Sequence, residues 1–160
     1  MNKILILLTI LGGITLINSQ NISEKDSIVI VKKIDDWNKA WNIKDASLAA
    51  KWYSNDADFT NAFGFSMIGK TAIEEYLTRV FKMDFVMAGN SEQTSLKLKF
   101  NSDNSILVIS TISRKGQKSN DGSELGPRRT THYRLFQKNG DWKIIAHLIS
   151  DARSIKTSKH

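Results

Sequence analysis

The segment from Asp56 to Lys70, which reads DADFTNAFGFSMIGK, is the feature that most constrains the fold of this chain. An acidic turn leads into a short strand in which polar and apolar residues alternate, and Gly64 and a second short strand follow. After Gly69, the apolar residues of TAIEEYLTRVF recur at the spacing of one helix face. The segment therefore predicts a strand pair that runs directly into a helix.

The flanking sequence adds a helix before this segment and strands after it. Upstream, Ile30, Ile34, Trp37 and Trp41 are spaced by four, three and four residues, which is typical of one face of a helix. From Ser91 onwards the apolar period changes to two, and Asn139-Gly140 is a strong hairpin signal. This order predicts an α+β fold, with N-terminal helices packed in the concave face of a strongly curved, mainly antiparallel sheet.

These patterns together carry a family resemblance. The Asp56–Lys70 segment, the helix that bears Trp37 and Trp41, and a last strand with Trp142, Ile144 and Ser150 resemble the SnoaL-like branch of the nuclear-transport-factor-2-like superfamily. The resemblance spans roughly residues 23–150 and implies a cone-shaped α+β fold with a pocket between helices and sheet. That branch and its ketosteroid-isomerase-like relatives include isomerases, dehydratases, cyclases and pocket proteins without a known reaction. The resemblance therefore specifies the fold more closely than the chemistry.

The N-terminus has the layout of a secretory signal peptide. A basic start at Lys3 precedes an apolar run over Ile4–Ile17, which is shorter than the roughly 20 residues of a membrane span. We expect residues 1–19 to be removed and the protein to be exported, periplasmic or extracellular, without a membrane anchor; an uncleaved anchor is the alternative. Residues 23–151 are expected to form a single domain, and residues 152–160 a basic tail.

Composition excludes several classes of site. The chain has no cysteine, so thiol nucleophiles and thiolate metal sites are absent. Its net charge of +7 comes from basic residues that are spread along the chain without an aromatic-rich stripe. This pattern favours solvated surface charge over a specific nucleic-acid site, with a salt-sensitive polymer-binding surface as the alternative. No nucleotide, flavin or metal motif is present, so no cofactor is expected.

The last hairpin predicts which side chains face the pocket. A two-residue turn at Asn139-Gly140 sets Leu135 opposite Ile144, whereas a three-residue turn would reverse the assignment. In the two-residue register the inner face ends in a polar group formed by Arg129, Thr131, Tyr133 and Ser150. His132 and His147 then lie on the outer face, which the resemblance implies as a homodimer interface. No third ligand accompanies these two histidines, so no metal is expected.

The predicted ligand-binding residues are Trp37, Trp41, Asn61, Arg129, Thr131, Tyr133 and Ser150. Each has an alternative structural role. The two tryptophans suit an ordinary core, Asn61 could instead tie down the turn at Gly64, and Arg129 could be exposed rather than bound to a ligand carboxylate. Tyr133 could be a core tyrosine or a donor to a substrate oxygen.

A catalytic base is harder to place. The resemblance implies an Asp or His in the cavity, and many SnoaL-like relatives carry inward histidines four or six residues after the last-strand tryptophan. Those positions are Ala146 and Leu148, so His147 is one step out of phase. Asp58 would serve only if a bulge turned its strand inward, with Tyr133 and Asn61 stabilising an enolate oxygen.

The other acidic candidate is Glu92, which is expected to pair with Arg114 across two strands. The prediction is therefore an exported pocket domain for a small, largely apolar molecule, in one version with an anionic end. The alternative is a cofactor-independent isomerase, dehydratase or cyclase that uses acid–base chemistry.

Overall fold

The computed structural model describes residues 24–152, so the expected signal peptide and residues 153–160 of the basic tail lie outside the described residues. The helices are α1 (Glu24–Ile43), α2 (Ala46–Ala50), α3 (Lys70–Val80) and α4 (Asp84–Met87). The strands are β1 (Tyr53–Thr60), β2 (Ser66–Ile68), β3 (Asn90–Ser102), β4 (Ser105–Lys115), β5 (Arg128–Asn139) and β6 (Asp141–Ala152).

The six strands form one sheet in the order β2-β1-β6-β5-β4-β3. All neighbouring strands are antiparallel except β1 and β6, which run parallel. The α+β class and the mainly antiparallel sheet are therefore confirmed. None of the helices in the described part of the chain is long and apolar enough to cross a membrane.

Helices α1 and α3 pack against one face of the sheet, as their apolar spacing predicts. Ile30, Ile34 and Trp37 of α1 are buried, and so are Ile73 and Leu77 of α3. They share one core with apolar residues of the long strands, among them Ile106, Val108, Phe136, Trp142 and Ile144. Burial of this continuous apolar surface is the main force that holds helices and sheet together.

The turn between β5 and β6 reverses the predicted face of β5. Lys138, not Gln137, lies opposite Trp142, and Gly140 has a φ of 72°, a left-handed conformation that glycine adopts without strain. The loop therefore spans three residues, and the two-residue register was wrong. Consequently Phe136, Arg134 and His132 point inward, whereas Leu135, Tyr133 and Thr131 point outward.

A bulge then reverses the second half of β6. Phe136 pairs with Ile144 but Leu135 pairs with Ala146, which leaves Ile145 as an extra residue. Before the bulge, Trp142 and Ile144 point inward as predicted. After the bulge, His147 is buried (2% exposed) and Leu148 is half exposed. The prediction that His147 lies on the outer face of the sheet was therefore wrong.

Four of the predicted pocket residues are consequently on the outer face of the sheet. Arg129, Tyr133 and Ser150 are exposed and Thr131 is partly exposed. The prediction that they point inward was wrong, because it depended on the two-residue turn and on an unbroken alternation along β6.

Candidate functional site

A cavity of about 490 Å³ opens between the helices and the inner face of the sheet. Most of its wall is apolar and includes Trp37, Trp41, Phe59, Leu77, Val80 and Ile149. Trp37 and Trp41 stack with ring centroids 5.6 Å apart, and Phe81 meets Trp41 edge to face. This volume and lining are typical of a site for a small organic molecule.

The charged groups of the cavity wall all have one sign. Arg114, Lys118 and Arg128 line it, and no aspartate or glutamate of the described residues does. Arg114 and Arg128 lie directly opposite each other on β4 and β5. Two guanidinium groups at the same level of the cavity create a positive potential at that end.

Arg128 is partly neutralised by the protein. Its Nη2 atom donates to Asp151 Oδ2 at 2.7 Å, and its Nη1 atom lies 3.5 Å from Gln117 Oε1. Asp151 follows the bulge in β6 and is therefore on the inner face with His147 and Ile149. Arg128 is held in place by this pair, although it still lines the cavity.

Arg114 forms no ion pair within residues 24–152, although the nearby carboxylate of Asp151 acts on its charge from a greater distance. Its Nε atom donates to Ser91 Oγ (3.1 Å), its Nη2 atom donates to the Val86 carbonyl oxygen (2.7 Å), and its guanidinium lies 4.8 Å from the Trp41 ring centroid. Burial, and then the charge of Arg128, lowers the pKa of Arg114 to about 10, which leaves it protonated at neutral pH. Arg114 is thus a fixed cation whose Nη1 group has no hydrogen-bond partner among residues 24–152.

Behind the cavity wall lies a hydrogen-bonded chain of buried side chains. The Tyr53 hydroxyl is 2.5 Å from His147 Nδ1, and His147 Nε2 is 3.0 Å from His132 Nδ1. His132 Nε2 then lies 3.3 Å from Thr130 Oγ1, and both of these residues line the cavity. We call Tyr53, His147, His132 and Thr130 the relay.

Arg134 fixes the direction of every hydrogen bond in the relay. A guanidinium can only donate, and Arg134 Nη2 lies 3.1 Å from His132 Nδ1, so that nitrogen is an acceptor. The hydrogen between the two imidazoles therefore belongs to His147 Nε2. His147 Nδ1 must then accept from the Tyr53 hydroxyl, and His132 Nε2–H donates to Thr130. All donors point toward the cavity.

The environment keeps both imidazoles neutral. Complete burial, followed by the charge of Arg134, lowers the pKa of His132 and of His147 well below the usual value of 6.5. Burial likewise raises the pKa of the Tyr53 hydroxyl, so it remains a donor. Arg134 itself donates to Ser110 Oγ at 2.9 Å and lies 4.7 Å from the Trp37 ring centroid.

Asn61 has the structural role that was its alternative. Its Oδ1 atom accepts from the backbone N–H groups of Phe63 and Phe65, which ties down the turn at Gly64, and its Nδ2 atom donates to Tyr76 Oη at 2.7 Å. Asn61 and Tyr76 also line the cavity. The amide therefore positions a tyrosine hydroxyl at the wall.

The structure places the remaining candidates as follows. Trp37 and Trp41 line the cavity, whereas Asp58 and Tyr133 are exposed and do not. The pairing of β1 with β6 is irregular between Tyr53 and Asp58, but Phe59 is buried and Asp58 is exposed, so this irregularity does not turn Asp58 toward the cavity. Glu92 lies opposite Ser113, and Ser91 takes the position opposite Arg114, so the expected Glu92–Arg114 pair was wrong.

Sequence reasoning missed Arg114, Arg128, Arg134 and the two inward histidines. The turn length reverses the faces of β5, which carries Arg128, Arg134 and His132, and the bulge reverses the second half of β6, which carries His147. Neither feature accounts for Arg114. One signal was available: Phe136, Arg134, His132 and Thr130 alternate, and an inward Phe136 brings the other three inward with it. Within residues 24–152 no third His, Cys, Asp or Glu completes a metal-binding group with the histidines.

Solved structures with this arrangement are similar to the chain at low sequence identity. A protein with a cystatin-like fold from Caulobacter vibrioides is 18% identical, with 81% of this chain and 91% of that chain covered and a TM-score of 0.72. For a ketosteroid isomerase-like protein from Erwinia carotovora the identity is 16%, the coverage 82% and 99%, and the TM-score 0.66. An NTF-2-like protein of unknown function from Shewanella oneidensis gives 17%, 79% and 99%, and 0.62.

No family model and no curated protein matches the sequence. The comparisons therefore identify an architecture and no activity, since one fold supports many functions. The helices precede the four long strands β3–β6, and the cavity lies between the helices and the sheet. Both features agree with that architecture. The chain has the nuclear-transport-factor-2-like fold.

Proposed function

We propose that the protein binds a small, largely apolar molecule that carries a carboxylate, and that it holds the carboxylate between Arg114 and Arg128. The observation that carries this proposal is the charge of the cavity wall, which has three basic residues and no acidic one among the described residues. Guanidinium groups bind carboxylates through paired, charge-assisted hydrogen bonds.

The surplus of buried positive charge supports an anionic ligand. Asp151 pairs with Arg128 and acts only at longer range on Arg114, so this one carboxylate faces three guanidinium groups; neither Arg114 nor Arg134 forms an ion pair in the described part of the chain. Arg134 is fully buried, and an unpaired buried charge is costly. An anion in the cavity would offset this cost, so its binding is favoured beyond its direct contacts.

The rest of the ligand is expected to be apolar and aromatic. The wall offers Trp41, Phe59 and Ile149, and five apolar side chains of the lining are also exposed at its opening. These are Phe63, Phe65, Met83, Phe85 and Leu125, with exposures from 36% to 67%. An apolar opening favours entry of an apolar molecule over entry of a sugar or nucleotide.

The same geometry favours binding over proton abstraction. A general base must have a free lone pair within reach of the substrate proton. The described wall contains no carboxylate, and His132 presents its protonated Nε2 to Thr130 rather than a lone pair. Within the described wall, the isomerase, dehydratase or cyclase hypothesis therefore has no carboxylate or imidazole base to support it.

A matched pair of ligands tests the proposal. We expect 2-naphthylacetate to bind at least about tenfold more tightly than 2-naphthylacetamide by isothermal titration calorimetry, because charge-assisted bonds contribute roughly 1.5–3 kcal/mol. The two molecules have nearly the same shape and differ in charge. Equal affinities, or tighter binding of the amide, would refute a carboxylate site.

We also propose that two copies associate through the outer face of the sheet. Ile109, Tyr133 and Leu148 form a row across three strands on that face, and Leu148 is 50% exposed. Leu107, Leu135 and Ala146 form the next row. A contiguous apolar patch on an exposed sheet face favours association, and a second copy of the chain would present the same patch.

Placing a charge in this patch is expected to separate the two copies. Leu148→Glu would bury a carboxylate in the interface, so the variant should be monomeric at micromolar concentrations by light scattering, where the unmodified protein is dimeric. Ile28→Glu is the control, because Ile28 is 62% exposed on α1, away from the sheet. Identical masses for Leu148→Glu and the unmodified protein would exclude this interface.

A further inference from the structure

The relay ends in the hydroxyl hydrogen of Thr130, which has no acceptor among the described residues. Thr130 Oγ1 accepts from His132 Nε2–H, so its own hydrogen must point elsewhere. No other polar partner of Thr130 exists among residues 24–152. Thr130 is only 5% exposed and lines the cavity. A buried hydroxyl without an acceptor costs free energy that a ligand oxygen can recover.

We infer that Thr130 forms a second oxygen-binding subsite, and that the ligand is an oxo acid whose carbonyl oxygen accepts the Thr130 hydroxyl hydrogen. This inference rests on the proposed function, because it requires the ligand carboxylate to be bound by Arg114 and Arg128. It adds the position and chemistry of a second polar group on an otherwise apolar ligand.

The relay makes this hydroxyl a better donor than an isolated threonine. Each member donates toward the next, and Arg134 holds that direction by donating to His132 Nδ1. Aligned hydrogen bonds in a dry environment polarise one another, so the last donor in the series is strengthened. Tyr53, His147 and His132 are therefore positioning residues that act through Thr130.

The register gives the separation of the two subsites. Arg128 and Thr130 are two residues apart on the inner face of β5, and Ile112 lies opposite Thr130 just as Arg114 lies opposite Arg128. Two residues of a strand span about 7 Å. A ligand that reaches both subsites thus has several carbons between its carboxylate and its carbonyl.

The test uses aryl oxo acids and their deoxo analogues. The series is 4-oxo-4-phenylbutanoate, 5-oxo-5-phenylpentanoate and 6-oxo-6-phenylhexanoate, each compared with the same acid in which a methylene replaces the carbonyl. For the chain length that fits best, we expect the oxo acid to bind about fivefold more tightly, which corresponds to one net neutral hydrogen bond.

Two variants distinguish the role of the Thr130 hydroxyl from that of the other relay residues. Thr130→Val keeps the shape and removes the donor, so the ratio of the oxo-acid affinity to the deoxo-acid affinity should fall to about one. Tyr53→Phe, at the far end of the relay, should reduce the preference about twofold. If no chain length shows a preference, or if Thr130→Val retains it, the subsite is refuted. Failure of every acid to bind would instead refute the carboxylate site, and the subsite with it.

An NMR measurement tests the direction of the relay independently of any ligand. The ¹⁵N chemical shifts of the unliganded protein should show both His132 and His147 as neutral imidazoles protonated at Nε2. A hydrogen on Nδ1 of either residue would reverse the relay, leave Thr130 as a donor to His132, and overturn the inference.

Discussion

Lowering the pH from 7 to 5 is expected to reduce the free energy of unfolding, because His132 and His147 take up protons more readily in the unfolded chain than in the folded protein. Burial and the charge of Arg134 hold the pKa of both imidazoles well below 6.5 in the folded protein. In the unfolded chain each takes up a proton below about pH 6.5. The unfolded state therefore binds more protons in this range, and the free energy of unfolding falls with pH by up to about 1.4 kcal/mol per unit for each histidine.

The sign and the pH window follow from the direction of the shift. The stabilisation is complete above the unfolded pKa of 6.5 and is lost as the pH falls toward the lowered folded values. Urea unfolding at half-unit steps between pH 7 and pH 5 would measure the slope. In His132→Gln only one such histidine remains, so its slope should be about half as steep. A flat profile over this range would mean that both imidazoles titrate normally in the folded protein.

Arg114→Gln is expected to weaken carboxylate binding by roughly 10- to 100-fold, because it removes charge-assisted hydrogen bonds of about 1.5–3 kcal/mol. Asp151 keeps its ion pair with Arg128 in this variant, so no acidic group is stranded. Glutamine keeps a polar side chain of similar length beside Ser91 and Val86. Calorimetry with 2-naphthylacetate measures the loss.

Arg129→Gln is the matched control for this loss. Arg129 is a neighbour of Arg128 on β5, but it is exposed on the outer face of the sheet. The two variants lower the net charge of the protein equally, so long-range electrostatics change alike in both. A similar loss of affinity in Arg114→Gln and Arg129→Gln would show that net charge, and not a guanidinium in the cavity, attracts the ligand.

The amino-acid sequence predicts the elements of this fold better than their fine register. Helical spacing identifies the buried faces of α1 and α3, because each apolar residue of a helix covers a predictable stripe. The alternation in β3, β4 and β5 likewise identifies long strands. Such patterns hold locally, and they are insensitive to a shift of one residue elsewhere in the chain.

The site is harder to predict because one residue decides which face a strand presents. The three-residue turn at Gly140 brings Arg134 and His132 inward, and the extra residue at Ile145 brings His147 inward. Neither feature has a distinct sequence signature, since Asn-Gly also suits a two-residue turn. The predicted arginine of the site, Arg129, was consequently one residue away from Arg128, which lines the cavity.

A crystal structure with bound 2-naphthylacetate is the most direct test of the carboxylate site. The ligand carboxylate is expected within hydrogen-bond distance of the Arg114 guanidinium and close to Arg128, with the naphthyl ring against Trp41. A ligand bound with its carboxylate directed to solvent, or bound outside the cavity, would contradict the account.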